Sequence, residues 1–253
     1  MGARVHADFE WALAVPSLSV ILITRNEAAN IRECLQSVAW ADEIIVVDSG
    51  STDDTVAIAR TMGAKVYEHD WPGFGPQKNR ALGYATGDWV FSIDADERVT
   101  PELRAELEQA MREGKADGYF CPRLSQFCGT FIRHSGWYPD YVLRLFKRGA
   151  GKFSDSLVHE SVLLDGRSAK LRSPLLHYSY LDRSDVERKV KHYSTAAAKQ
   201  MHAAGKRTSL PRAALSAGWA FVRTFVIRLG MLDGRAGWGI AVMNARTTWL
   251  KYR

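Results

Sequence analysis

The chain has 253 residues, 46% of them hydrophobic, and a formal net charge of +6. That length and apolar content exclude a disordered chain and suit one large domain, or one domain with an appendage. Three cysteines, Cys34, Cys121 and Cys128, with no C-x-x-C pair exclude a disulfide framework and a zinc knuckle, and suit a reducing, cytoplasmic setting.

In chain order, the start MGARVHADFEWALAVPS carries two acids and lacks a long apolar core. No signal peptide is expected there, and residues 1–16 read as a flexible extension. LSVILIT (18–24) is an apolar run of strand length. Ala28, Ile31, Leu35 and Val38 then recur at helical spacing. EIIVVD ends a second strand at Asp48, and a Gly/Ser turn leads to a helix that starts near Asp53 and Asp54 and closes at Gly63. AKVYEHD is a third strand and GPQKNRALGYATG a helix with proline near its start. DWVFSID is a fourth strand, and TPELRAELEQAMREG a helix capped by Thr100–Pro101. Past residue 115 the chain turns rich in aromatics, SVLLDGRSAKLRSPLLHYSY reads as a hairpin pair, and from Asp182 the pattern is helical.

Strand and helix alternate four times, and the strands are continuous apolar runs. That predicts an α/β fold with a mostly parallel sheet covered by helices on both faces. Ligands in such folds bind beyond the carboxyl ends of the strands. Thr24, Asp48 and Asp94 lie at or beside such ends.

The stretch FSIDADE puts Asp94, Asp96 and Glu97 within four positions. An isolated D-x-D carries little weight in a chain with 16 aspartates, but one at a strand end, beside a second strand-terminal Asp, carries more. Helix capping by Asp96 or Glu97 is the plain alternative. The functional reading is a shared divalent cation, Mg²⁺ or Mn²⁺, that binds a nucleotide diphosphate and relieves the repulsion among the acids. A P-loop, a G-x-G-x-x-G turn, H-E-x-x-H and G-x-S-x-G are all missing from the sequence.

The segments LSVILITRNEAANIRECLQSV, ADEIIVVDSGSTDDT, FGPQKNRALGYATGDWVFSIDADE, WYPDYVLRLFKR and VHESV resemble the family-2 inverting glycosyltransferases of the GT-A (nucleotide-diphospho-sugar transferase) fold. With the tail GMLDGRAGWGIAVMNA the chain is most similar to bacterial lipopolysaccharide core glycosyltransferases, and among these to the β-1,4-glucosyltransferases acting on inner-core heptose. The resemblance implies that Thr24, Asn26 and Glu27 form the first nucleotide-contacting loop. It implies that Asp48 recognises the base, and that Gln77, Lys78 and Asn79 contact the sugar nucleotide. Asp94 and Asp96, flanking Ala95, are then the metal-binding pair on the donor's phosphates. The implied domains are a catalytic unit over 17–181, with a nucleotide-sugar half (17–115) and an acceptor half (116–181), and a helical appendage over 182–253.

Inverting transfer also needs a carboxylate base for the acceptor hydroxyl. Asp140 in YPDYVLRLF and Glu160 in VHES are the two candidates. Arg144 suits a bidentate grip on the diphosphate or a structural ion pair. His159 and His177 suit phosphate contacts or ordinary satisfied histidines.

Residues 183–253 carry 14 lysines and arginines against three acids, and residues 1–182 carry 20 against 25. Leu215, Trp219, Val222, Val226 and Leu229 form one helical stripe, interrupted by Arg223 and Arg228. That segment is too short and charged to span a bilayer but suits a membrane interface, with a core helix as the alternative. The expected partners are a UDP-sugar donor, a lipid-anchored saccharide acceptor and the anionic inner-membrane surface, which places the protein as a peripheral one on the cytoplasmic side. No nucleic acid is expected. Two other classes stay open, a nucleotide-sugar-binding protein without turnover and a nucleotidyltransferase. The same fold acting on another glycan or on a polyprenyl phosphate also stays open.

Overall fold

The structure, a computed structural model, describes residues 16–154, 161–205 and 208–252. The expected extension over 1–16 therefore lies outside the described residues, apart from its last position.

The first half alternates as expected: β1 (Leu18–Thr24), α1 (Ile31–Ser37), β2 (Glu43–Asp48), α2 (Thr55–Thr61), β3 (Lys65–Glu68), α3 (Phe74–Tyr84), β4 (Trp89–Ser92). These strands lie in the order β3-β2-β1-β4, all parallel. The chain steps outward from β1 to β3 and then returns to the other side of β1. The order thus reverses between β1 and β4, the place where open α/β sheets leave a crevice. Alternate residues of each strand serve the two faces. Val20, Leu22 and Phe91 pack under Ile31 and Leu35 of α1, while Ile21, Ile45 and Val90 pack under Ala81 of α3.

β5 (Glu97–Val99) is a short strand absent from the sequence expectation. It precedes α4 (Pro101–Glu113), whose cap is as expected: the Thr100 hydroxyl accepts from Leu103 N at 3.1 Å. Next come β6 (Gly118–Phe127), β7 (Thr130–Phe131), β8 (Asp140–Lys147), β9 (Gly151–Phe153), β10 (Val162–Leu164), β11 (Ser168–Lys170) and β12 (Leu175–Tyr180). The sheet continues as β4-β8-β6-β12-β5 and becomes mixed, because β8 runs antiparallel to both β4 and β6. Both halves of the catalytic unit therefore supply strands to one sheet.

The expected hairpin over residues 161–180 is not formed. β11 and β12 both run parallel to β6 and occupy successive lengths of its edge, at Gly118–Phe120 and Arg123–Phe127, so they cannot pair with each other. β10 pairs instead with β9. The ten-residue β6 offers a longer ladder than any local turn between short strands.

The remainder is helical: α5 (Arg183–Ala203), α6 (Leu210–Val222), a π-turn over Arg223–Ile227, a 3₁₀ turn over Gly230–Asp233 and α7 (Gly234–Tyr252). Ile240 of α7 joins Phe127 and Ile132 in a third core cluster that ties this region to the sheet. Gly237 is required there, since a Cβ would lie 1.8 Å from the Gly230 carbonyl oxygen.

The opposite end of the sheet is held by Glu43. Its carboxylate accepts from Ser19 Oγ, Thr86 N, Thr86 Oγ1 and Lys65 Nζ at 2.5–2.9 Å. Burial alone would raise its pKa, but these donors outweigh burial and bring it down to about 2. A depressed carboxylate pKa means stability that is present above the unfolded value and lost as pH falls through the folded one. Glu43→Gln should therefore cost about 2–3 kcal/mol in urea unfolding at pH 7, and the gap to wild type should narrow steadily between about pH 4.5 and about pH 2. A gap unchanged over that range would contradict this account of the brace.

Candidate active site

The three acids of FSIDADE stand where β4 ends at the crevice, on the segment that crosses to β5. Asp94 is gripped by two cations: Lys78 Nζ donates to Oδ1 at 3.0 Å and Arg144 Nη2 to Oδ2 at 2.6 Å. Glu97 is fully buried, accepts from Asp94 N at 3.0 Å and from Arg144 Nη2 at 2.6 Å. Arg144 reaches both because β8 bulges there: Tyr119 and Phe120 of β6 face Leu145 and Leu143, which leaves Arg144 as the extra residue. Burial works against the charge on Asp94, but Arg144 and then Lys78 hold its carboxyl well below the usual carboxylate range. Glu97 goes the other way, since its complete burial outweighs the pull of Arg144. The same two carboxylates raise the Arg144 pKa against its burial.

Of the two readings of Arg144 the structure forms the ion pair: the residue is buried and its Nη2 bonds both Asp94 and Glu97. The repulsion among the acids is relieved inside the fold by Arg144 and Lys78, and both oxygens of Asp94 are engaged. Asp94 and Asp96 keep 33% and 35% of their side-chain surface exposed, and of the two Asp96 has a histidine rather than a lysine or arginine beside it.

Asp96 faces a cavity of 780 Å³ whose lining includes Asp94, Ser125, Trp137, Asp140 and His177. Its Oδ2 lies 3.3 Å from His177 Nε2, and His177 Nδ1 is 2.9 Å from Ser125 Oγ. Among the described residues no three such side chains converge as a preformed metal site. Mg²⁺ or Mn²⁺ in nucleotide enzymes is held by one or two carboxylates with substrate phosphates supplying other oxygens. The carboxylate and imidazole of Asp96 and His177, with Asp94 behind them, fit that role.

Asp140 begins β8. Because β8 runs antiparallel to β4, its start lies at the end of the sheet where β4 finishes, which brings residues 140 and 94–96 to one cavity. Asp140 faces Arg123 across the strands, and Arg123 donates to its Oδ2 from Nε at 3.0 Å and Nη2 at 2.6 Å. The side chain stays 45% exposed, within reach of a bound molecule. Glu160 and His159 lie outside the described residues.

The expected nucleotide loop is built around Asp48. Asp48 is fully buried and accepts from Thr24 Oγ1 at 2.9 Å, Ser51 N at 2.7 Å and Ser51 Oγ at 2.6 Å. It braces the ends of β1 and β2 and presents no free surface to a base. Asn26, at φ +56°, stays exposed and its Oδ1 accepts from Thr52 N at 2.8 Å. The Glu27 carboxylate accepts from Asn30 and is raised by burial. Gln77 is buried and donates to Ser49 Oγ at 2.9 Å, and Asn79 exchanges two bonds with the Phe153 backbone at 2.8 and 2.9 Å. Asn79 therefore ties α3 to β9, and of that trio Lys78 alone touches the acids. Ala95 is buried, its carbonyl bonded by Arg98 at 2.7 Å.

Arg123 and Asp233 were not expected. Only the β6–β8 register reveals Arg123. Asp233, within the tail segment GMLDGRAG, accepts from Arg133 N, His134 N, His134 Nδ1 and Ser135 Oγ at 2.8–3.2 Å. It latches the helical region to the loop that leads into Asp140.

The profile of glycosyl transferase family 2 matches residues 19–162. An uncharacterized glycosyltransferase of Rickettsia typhi is 32% identical over 251 residues, covering 92% of this chain and 85% of that protein. The lipopolysaccharide core biosynthesis glycosyltransferase LpsC of Rhizobium meliloti is 33% identical over 203 residues, covering 75% and 73%. Among solved structures, S. aureus TarS 1–349 superposes with a TM-score of 0.49 at 19% identity, over 73% of this chain and 65% of that one.

Removing Arg144 strands the buried Glu97 and leaves the part-exposed Asp94 to Lys78, so Arg144→Met should cost about 3–5 kcal/mol in urea unfolding, and adding Glu97→Gln should recover part of that loss. No recovery in the double variant would contradict the ion-pair account. Asp233→Ala should speed amide exchange at His134 and Ser135 at least about tenfold, as expected for a released loop; unchanged exchange would mean that the latch does not hold it.

Proposed function

The chain belongs to glycosyltransferase family 2, and on that premise we propose an inverting transfer of glucose from UDP-glucose to a heptose of the lipopolysaccharide inner core. One observation carries the reading: a single cavity joins the strand-terminal Asp94 and Asp96 to Asp140, so leaving group and attacking hydroxyl have carboxylates on the same chamber wall. The likeness to LpsC supports the acceptor class. The UDP nucleotide, the glucose and the inner-core position follow from the sequence resemblance.

The roles divide as follows. Asp140 takes the proton from the acceptor hydroxyl, and Arg123 fixes the carboxylate for that task by holding Oδ2. Trp137 and Tyr180, with ring centroids 5.4 Å apart, give the cavity an aromatic wall for a sugar face. Thr24, Asn26 and Glu27 shape the nucleotide side over the Asp48 brace. Lys78 and Arg144 keep Asp94 ionised at the diphosphate end. Asp96, Asp94 and His177 are the side chains that would hold Mg²⁺ or Mn²⁺, which when bound neutralises charge growing on the leaving diphosphate. We place this reaction at the cytoplasmic face of the inner membrane, where a lipid-anchored acceptor is presented.

The test is turnover of UDP-glucose with a deacylated inner-core acceptor, read as UDP release and a β-linked product. Asp140→Asn should lower kcat by about 10²–10⁴ and leave the KM for UDP-glucose within about threefold, as for loss of a general base. Glu160→Gln should retain most turnover. Full activity in Asp140→Asn would contradict the assignment, and pyrophosphate release from UTP and glucose 1-phosphate would replace it with nucleotidyl transfer.

A further inference from the structure

We infer that the outer face of α6 and the corner that follows it form a docking surface for an anionic lipid bilayer. This goes beyond the transfer reaction and does not depend on it. The stripe expected from the sequence is a surface feature: Leu215 is 77% exposed, Trp219 58%, Val222 41% and Val226 47%. These residues recur on one side of α6 and its π-turn, and α6 packs mainly on α7. Four apolar side chains left exposed along one helix face mark a contact site.

The backbone of the corner fits entry into an apolar phase. Arg228 N bonds Arg223 O at 2.9 Å, Leu229 N bonds Val226 O at 3.1 Å and Leu232 N bonds Leu229 O at 2.9 Å. These amides are satisfied within the turn, which is the condition for burying backbone in lipid. Ile227, Leu229 and Leu232 point their side chains out from it, at 58%, 49% and 63% exposure. No single helix among the described residues is long and apolar enough to cross a membrane. The two segments that together reach that composition, Leu210–Ile227 and Gly230–Tyr252, are bent by 73°. The bend suits a helix lying in the interface with α7 turned back into the protein.

Charge selects the occupant. Arg212 and Arg223 are exposed and stand about three turns apart on one flank of the stripe. Of the three acids in residues 183–253, Asp185 is buried and paired with Arg188 and Lys189, Asp233 is bonded to the 133–135 loop, and Glu187 lies exposed on α5. Arg212 and Arg223 on this flank, in a region with 14 basic residues against three acids, would repel a second copy of the same face and attract anionic headgroups. A bilayer satisfies the apolar stripe and its basic flank together. Asp233 ends the corner and holds the loop leading to Asp140, so the docked face and the cavity keep a fixed relation. For the same reason the test uses point variants of the full chain, since truncation would remove that latch.

The experiment is co-sedimentation of the full chain with phosphatidylcholine vesicles, with and without about one third phosphatidylglycerol. Binding should require the anionic lipid. Arg212→Gln/Arg223→Gln should weaken it about 25-fold, at about fivefold per charge. Trp219→Ser/Val226→Ser should weaken it at least about tenfold through lost apolar burial, with melting temperature and UDP-glucose binding unchanged. Vesicle binding indifferent to these variants or to lipid charge would overturn the inference. So would a dimer in sedimentation that Trp219→Ser/Val226→Ser dissolves, since that assigns the face to a second copy. Loss of UDP-glucose binding in a protein that still binds vesicles would count against the proposed reaction alone.

Discussion

Arg144 sits inside the protein against two carboxylates, and the cavity is arranged around that fact. A buried guanidinium with bonds of 2.6 Å to Asp94 and Glu97 is tolerable only because both partners are fixed. The fixing comes from elsewhere in the chain: Lys78 on α3 takes the other oxygen of Asp94, and Arg123 on β6 stands 3.7 Å from Glu97 while holding Asp140. Two of the three acids, Asp94 and Glu97, thus meet three cations from three elements. Lys78 and Arg144 balance Asp94, Arg144 reaches Glu97 as well, and Asp96 opens on the chamber beside His177.

Strand direction does the remaining assembly. The reversal of strand order between β1 and β4 opens the crevice, and antiparallel β8 delivers its first residue, Asp140, to the same end of the sheet. β12 runs parallel to β6 and carries His177 to Asp96. Residues 94, 140 and 177 meet because their strands alternate in direction in the required way. The helical region then closes the far side, through Ile240 in a core with Phe127 and through Asp233 on the loop before Asp140.

Much of this was legible in the sequence, for identifiable reasons. β1 to α4 announce themselves by continuous apolar runs, by helical spacing and by the Thr100–Pro101 cap, all of them local signals. The strand-end position of Asp94 and Asp96 is readable from the same pattern, and so is the exposed stripe on α6. What failed depends on partners far along the chain. The turn signal at Asp165–Gly166 reads as a hairpin, yet the long edge of β6 captures β11 and β12 separately. Arg144 reads equally as a diphosphate grip or a structural ion pair, and the bulge in β8 that brings it to Asp94 and Glu97 has no local signal. Asp48, Gln77 and Asn79 sit in segments that match a nucleotide-binding family, and their added role as braces of the frame depends on partners that no local pattern shows.

In the proposed reaction Asp96, backed by the Arg144-pinned Asp94, presents a diphosphate site at the strand-order reversal. Calorimetry of UDP-glucose with Mn²⁺ and with EDTA, on wild type and Asp96→Asn, tests it most directly. The account predicts binding that requires the metal and weakens at least about tenfold in Asp96→Asn, the loss expected when one charged ligand is neutralised. Equal affinity in all four titrations would mean that the acids at the end of β4 only hold the fold together.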